Sequence, residues 1–103
     1  MPEKNYKTFG ETVGARAFPG AIDTKLESVL DVLIIVMDFA CKDFQHGEVA
    51  IILYELPNTS GQFTCVCGGD VVRSKLKEAK EEDLLPLMGV IQKPAGERYY
   101  DIV

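Results

Sequence analysis

The sequence predicts a mostly-β domain in which three consecutive strands are followed by one helix and a final pair of strands. Three observations support this fold class. After residue 31, stretches rich in β-branched residues alternate between apolar and polar positions. One substantial stretch, residues 70–83, has apolar residues at helical spacing instead. Short segments rich in Gly, Pro and Asn separate the predicted strands, as turns require.

The chain has the size and composition of one folded domain. Its 103 residues are 47% hydrophobic and 26% charged, which supplies a core without disulfides or metal. Its three cysteines are an odd number, which disfavours a disulfide framework. No apolar run approaches the length of a spanning helix, and the first residues lack a signal-peptide pattern. We therefore expect a cytoplasmic protein without membrane contact.

The first half of the domain contains two predicted strands joined by a tight turn. Residues 31–44 form a long strand, one face of which carries the odd-numbered residues Leu33, Ile35, Met37, Phe39 and Cys41. The turn is predicted at residues 45–47. Residues 48–56 form the second strand, where Tyr54 shares a face with Ala50 and Ile52.

The second half contains the helix and three more strands. Residues 57–61 are a predicted hairpin loop, and residues 62–67 form a third strand with Phe63, Cys65 and Cys67 on one face. Two glycines end this strand, and Asp70 can cap the helix that follows. The last two strands are predicted at residues 87–93 and 98–103, joined by a hairpin turn.

This β-β-β-α-β-β order matches the OB-fold, a five-stranded, partly open Greek-key barrel. The sequence therefore predicts an OB-fold domain over residues 24–103. Residues 1–23 are expected to be an N-terminal extension packed on that domain. The alternative architecture is an α+β sheet with one packed helix.

The sequence shows no constellation of catalytic residues. Its single histidine, His46, lies in a predicted turn, and no serine has a Gly-x-Ser-x-Gly context. The acidic residues show no spacing typical of a paired-carboxylate site. The segment Gly68-Gly69-Asp70 before the helix is compatible with phosphate binding, but a plain strand-to-helix turn is the favoured interpretation. We therefore expect a protein that is not an enzyme.

The cysteines offer one alternative, a zinc site. Cys41, Cys65 and Cys67 share the predicted inward face, and His46 would have to complete a Cys₃His set. Zinc sites usually place Cys-x₂₋₄-Cys on a loop, whereas Cys-x-Cys on a strand more often reflects packing. We therefore expect no metal and no cofactor.

The net charge of −5 disfavours a nucleic-acid partner for the chain as a whole. The excess of acids is local, however, because residues 29–56 hold five acids and one base. Near-neutral and basic surface therefore remains available elsewhere.

An OB-fold binds its ligand on strands two and three, between the loops that join strands one and two and strands four and five. Cations there would follow phosphates, and aromatic rings would stack on bases. The predicted nucleic-acid-binding residues are Lys42, Phe44, His46, Tyr54, Lys93, Arg98 and Tyr99.

Three segments carry a resemblance to a known family: MDFACKDFQHGEVAIILYEL, GQFTCVCGGDVVRSKLKEA and LPLMGVIQKPAGERYYDIV. Together they resemble the small OB-fold single-stranded DNA-binding-like proteins of bacteriophages and mobile elements, over residues 24–103. The resemblance implies single-stranded DNA as the partner. It adds replication or phage proteins and a second copy of the chain as further candidate partners. The matching positions are Lys42, Phe44, Tyr54, Lys93, Arg98 and Tyr99.

We therefore expect sequence-tolerant binding of single-stranded nucleic acid, DNA before RNA, by electrostatic attraction and base stacking. The alternative function is an OB-like protein–protein interaction module acting as an accessory factor. The net charge of −5 and the acidic first two strands favour that alternative.

Overall fold

The structure, a computed structural model, describes residues 17–44 and 47–103 as a mostly-β fold with one α-helix of several turns. The strands are β1 (Ile22–Asp23), β2 (Leu33–Phe44), β3 (Gly47–Leu56), β4 (Thr59–Cys67), β5 (Leu87–Gln92) and β6 (Asp101–Ile102). The helix, α1, spans Asp70–Glu81, and a short 3₁₀ turn spans Leu26–Ser28. The predicted strands and helix are confirmed, but β4 begins at Thr59, inside the predicted loop at residues 57–61, and the last strand is much shorter than residues 98–103.

The strands form one mixed sheet in the order β1-β4-β3-β2-β5-β6. β1 runs parallel to β4, and the other pairings are antiparallel. Strands β5-β2-β3-β4 have the spatial order of a Greek key, because β5 returns through α1 to lie beside β2.

The sheet of the described residues is open, and the predicted partly open barrel does not close there. The outer edge of β4 pairs with β1 at Phe63 and Thr64 instead of with the last strand. Residues 22 and 23, predicted to belong to a packed extension, are therefore part of the sheet itself. Residues 1–16 of that extension lie outside the described residues.

A β-bulge in β2 determines which of its residues face the core. Val36 pairs with Tyr54, whereas Asp38 pairs with Leu53, so Met37 is an extra residue in β2. Because side chains alternate along a strand, one extra residue exchanges the two faces of everything beyond it.

The burial pattern of β2 follows this exchange. Ile34 and Val36 are buried before the bulge, and Phe39 is buried after it. The prediction that the odd-numbered residues face the core is wrong before the bulge, where Leu33 is 46% exposed. It is correct beyond it.

The core lies between one face of the sheet and α1. The helix contributes Val72 and Leu76. The strands contribute buried side chains from β2 to β5: Ile34, Val36, Phe39, Ala50, Ile52, Tyr54, Cys65, Cys67 and Ile91. Burying one large aliphatic side chain contributes about 1.5–3 kcal/mol, so this face supplies much of the stability.

The Tyr54 hydroxyl links the core to the chain that follows β1. Thr24 Oγ1 donates a hydrogen bond to the Thr64 carbonyl at 2.8 Å and lies 2.7 Å from Tyr54 Oη. Because a carbonyl only accepts, the single Thr24 proton is used there, and Tyr54 must be the donor to Thr24. The Thr24 amide also donates to the Thr64 carbonyl, at 2.8 Å. These bonds hold β1 against β4.

We expect Tyr54→Phe to lower the free energy of unfolding by about 1 kcal/mol, because Thr24 loses its buried donor. The measurement is urea unfolding followed by circular dichroism. Tyr99→Phe is the matched control, since Tyr99 is 40% exposed and water replaces its partners. Equal stability of Tyr54→Phe and the unmodified protein would contradict the assigned hydrogen bond.

Candidate functional site

Tyr54 is a core residue, so its prediction as a nucleic-acid-binding residue is wrong. Only 1% of it is exposed, and its ring stacks on Phe63 with 5.6 Å between ring centroids. Alternation along β3 places Ala50, Ile52 and Tyr54 on the core face. Burial raises the pKa of Tyr54, so its hydroxyl stays protonated as the donor to Thr24. It offers no ring face to a ligand.

A cleft of about 570 Å³ opens where β4 ends and α1 begins. Its walls are the strand-to-helix turn and the segment before β6, with lining residues Gly68, Gly69, Asp70, Val71, Arg98, Tyr99 and Tyr100. Arg98 is exposed, and Tyr99 is 40% exposed. Two predicted site residues thus lie together in the cleft.

The two glycines of the cleft have close neighbours, at distances where an added Cβ would make ordinary van der Waals contact. A Cβ at Gly69 would lie 3.5 Å from the Cβ of Tyr100, and a Cβ at Gly68 would lie 3.7 Å from Val49 Cγ1. On the opposite wall, Lys93 Nζ lies 5.7 Å from the centroid of the Tyr100 ring, a cation–π contact. This contact places Lys93, a third predicted site residue, beside the cleft.

The N-terminus of α1 forms part of the cleft. Gly69 is the N-cap and provides no side-chain hydrogen bond, and the first helical bond runs from the Arg73 amide to the Gly69 carbonyl. The amides of residues 70–72 therefore have no partner within the helix. The Asp70 carboxylate pairs with the Arg73 guanidinium. This wall thus combines free backbone donors with a carboxylate that is already paired.

Lys42 lies on the sheet face that leads to the cleft. It pairs with Val49 across β2 and β3, and directly opposed residues share a face. Val49 in turn neighbours Gly68. Phe44 pairs with Gly47 at the end of the same hairpin and is half-buried. His46, also a predicted site residue, lies outside the described residues.

All four cations of α1 are paired with acids. The pairs with strand residues are Arg73–Glu48 (3.6 Å), Lys75–Asp101 (2.7 Å), Lys77–Glu48 (3.0 Å) and Lys80–Asp38 (2.9 Å). The hydrogen bond to Glu48 raises the pKa of Lys77, and the hydrogen bond from Lys75 lowers the pKa of Asp101. The helix cations therefore face the sheet residues and do not form an open basic surface.

Four other Lys and Arg residues form no ion pair within residues 17–44 and 47–103: Lys25, Lys42, Lys93 and Arg98. Three of them are predicted site residues. They lie in the cleft, beside it, or on the adjoining sheet face.

Tyr100 is a lining residue that the sequence analysis missed. The predicted strand over residues 98–103 did not mark Tyr100 as a site residue, and the structure packs Tyr100 partly against the core while it lines the cleft. The strand begins only at Asp101, so alternation does not extend back to Tyr100. The composition of residues 94–97, with Pro94 and Gly96, was the available signal for a longer loop.

The cysteines are placed for packing. Burial raises the pKa of Cys65 to about 12, and it also raises the pKa values of Cys67 and Cys41. Within the two described ranges, no group of three His, Cys, Asp or Glu residues is arranged to hold a metal ion. The thiolate is the reactive form, so these thiols are poor nucleophiles near neutral pH.

Comparison with protein-family models, curated proteins and solved structures found no match. In the part of the chain that the structure describes, no helix is long and apolar enough to span a membrane.

We expect Cys65 and Cys67 to resist alkylation by iodoacetamide in the folded protein at about pH 8, because raised pKa values and burial keep them protonated and inaccessible. Mass spectrometry of peptides from folded and guanidinium-unfolded protein measures this. Half-buried Cys41 should react more slowly than in the unfolded chain. Equal alkylation rates of Cys65 in the two states would contradict the placement of β4 in the core.

Proposed function

We propose that this chain is an OB-fold domain that binds single-stranded DNA without strong sequence preference, at the cleft beside the N-terminus of α1. The observation that carries the proposal is the composition of this cleft. It combines the exposed ring of Tyr99 with Arg98, and Lys93 lies beside it. Nucleic-acid strands are bound by this combination of cations and an aromatic face.

The topology supports the OB-fold part of the proposal. Strands β2 to β6 and α1 follow the order β-β-β-α-β-β, and four strands are arranged as a Greek key. The cleft lies at the end of β4, beside the loop between β5 and β6. This loop corresponds to the second of the two loops that frame an OB-fold ligand site.

The charge distribution is compatible with a polyanionic ligand despite the net charge of −5. Cations of α1 pair with three sheet acids, Asp38, Glu48 and Asp101, which weakens the repulsion those acids exert. Lys42, Lys93 and Arg98, which form no ion pair within the described part of the chain, are then available to phosphates. Few cations imply a short binding site of modest affinity, in which no covalent chemistry takes place.

The proposed contacts have separate roles. Tyr99 stacks on one base, which reads no sequence because every base has a π-face. Arg98 and Lys93 contact phosphates on one side of the cleft, and Lys42 contacts the strand where it crosses the β2–β3 face. Phe44 lies on the same face, at the hairpin end.

We expect fluorescence anisotropy to detect binding of a labelled oligothymidine of about 20 nucleotides at low salt, where the electrostatic attraction is largest. Three phosphate contacts give a slope near −2 in log K against log salt, at about 0.7 per contact. Duplex DNA of the same length should bind more weakly. A flat titration with folded protein at low salt would refute the proposed function.

We expect Tyr99→Ala to weaken binding by about 1–3 kcal/mol with every base composition. Arg98→Ala should flatten the salt slope by about 0.7. Tyr54→Phe and Lys25→Ala are the matched controls, because Tyr54 is buried and Lys25 lies away from the cleft. If a variant and its control lose the same amount of binding free energy, this assignment of the site is contradicted.

Opposite charges placed at Gly68 give a test that does not remove a native side chain. The position is exposed and has an ordinary backbone conformation, and its nearest neighbour to a new Cβ is at 3.7 Å. We expect Gly68→Lys to tighten binding and steepen the salt slope by about 0.7, and Gly68→Glu to weaken binding. If the two variants bind alike, DNA does not occupy this cleft.

A further inference from the structure

A second surface, which shares no lining residue with the cleft, exposes large apolar side chains. Met88 is 65% exposed, Val103 is 62% exposed, Leu84 is 49% exposed and Leu87 is 43% exposed. These residues belong to β5 and to the segments around it. Contiguous exposed apolar surface of this kind marks interaction sites on folded proteins.

Three of these residues line or border an apolar groove of about 190 Å³ between α1 and β5. Its lining residues are Val36, Lys75, Leu76, Ala79, Leu85, Leu87, Met88, Ile102 and Val103. Lys75 is the one charged lining residue, and its ammonium group already pairs with Asp101 at 2.7 Å. The groove therefore offers an apolar floor to a side chain from outside.

The rim of this groove is acidic. Glu78 and Glu82 follow the lining residues Lys75 and Ala79 by three residues, and Asp83, in the turn after α1, precedes the lining residue Leu85 by two. All three acids are exposed, and none forms an ion pair with another residue of the described ranges. The rim thus carries uncompensated negative charge.

We propose that the groove binds a peptide segment of a partner protein in which apolar side chains are flanked by Lys or Arg. An apolar side chain enters between Ala79, Leu87 and Met88. The flanking cations lie against Glu78 and Glu82. This activity is separate from DNA binding and does not depend on it.

The charge of the rim selects this occupant over the others. Phosphate groups of DNA or of an anionic membrane would be repelled by the three rim acids. A second copy of this chain carries the same acidic rim and a net charge of −5, which opposes its approach. A basic peptide gains from the same field, and the apolar floor adds the desolvation of its apolar side chain.

The test uses three short fluorescein-labelled peptides and the complete chain without DNA. The first alternates Lys and Leu, the second replaces each Leu with Ser, and the third replaces each Lys with Glu. We expect the Lys/Leu peptide to bind and the other two to bind at least about tenfold more weakly, since each lacks one half of the recognition. Equal binding of the Lys/Ser peptide would overturn the proposal, because charge alone would then explain it.

Variants locate the binding. Met88→Asp should weaken binding of the Lys/Leu peptide at least about tenfold, because a charge then faces the inserted side chain. Ile22→Asp is the matched control, because Ile22 is 58% exposed and lies on β1, at the opposite edge of the sheet from β6. The double variant with Glu78→Lys and Glu82→Lys should also weaken binding of the Lys/Leu peptide, whereas Glu27→Lys should not. Equal effects of Met88→Asp and Ile22→Asp would overturn the location.

Two further measurements separate this proposal from its alternatives. Met88→Asp should leave oligothymidine binding unchanged, so peptide binding and DNA binding succeed or fail independently. Sedimentation equilibrium of the unmodified chain should show a monomer at micromolar concentrations. A dimer that Met88→Asp dissociates would overturn the proposal and assign the groove to a second copy.

Discussion

The extra residue in β2 is the constraint on which the rest of the structure depends. β2 pairs with β5 through Leu33–Val36 and with β3 along most of its length. A regular strand would turn either its first or its second half away from α1. The bulge at Met37 lets Ile34 and Phe39, on opposite parities, enter the same core. β2 therefore contributes buried side chains to the core from both halves of its length, and α1 covers both.

The ion pairs of α1 orient this helix and also shape the surface. Exposed pairs contribute little stability, about 0–1 kcal/mol each. Their larger consequence is the distribution of free charge. Lys75, Lys77 and Lys80 neutralise sheet acids, while Glu78 on the same helix and Glu82 directly after it form no ion pair with residues 17–44 or 47–103. One helix thereby separates a neutralised face toward the sheet from an acidic rim at the groove.

The helix and the order of the strands along the chain can be predicted from the sequence, because they depend on local spacing and turn residues. Which face of each strand is buried in the core was harder to predict. Tyr54 lies on a strand whose alternation is plain in the sequence, yet which face of β3 is the core depends on where α1 packs. A single residue at Met37 reverses the outcome for half of β2. Lys93, Arg98 and Tyr99 needed only their loop to be located, so they lie together as expected.

The parallel attachment of β1 has a consequence for the order in which the molecule assembles. Strands β2, β3 and β4 are joined by short hairpins, whereas Thr24 meets Thr64 across a separation of 40 residues. Closing that loop costs entropy that a two-residue strand recovers only through a few hydrogen bonds. Loop-closure entropy therefore predicts that β1 docks after the central hairpins have formed. Release of the β1–β4 pairing would leave the antiparallel pairing of β2, β3 and β4 in place.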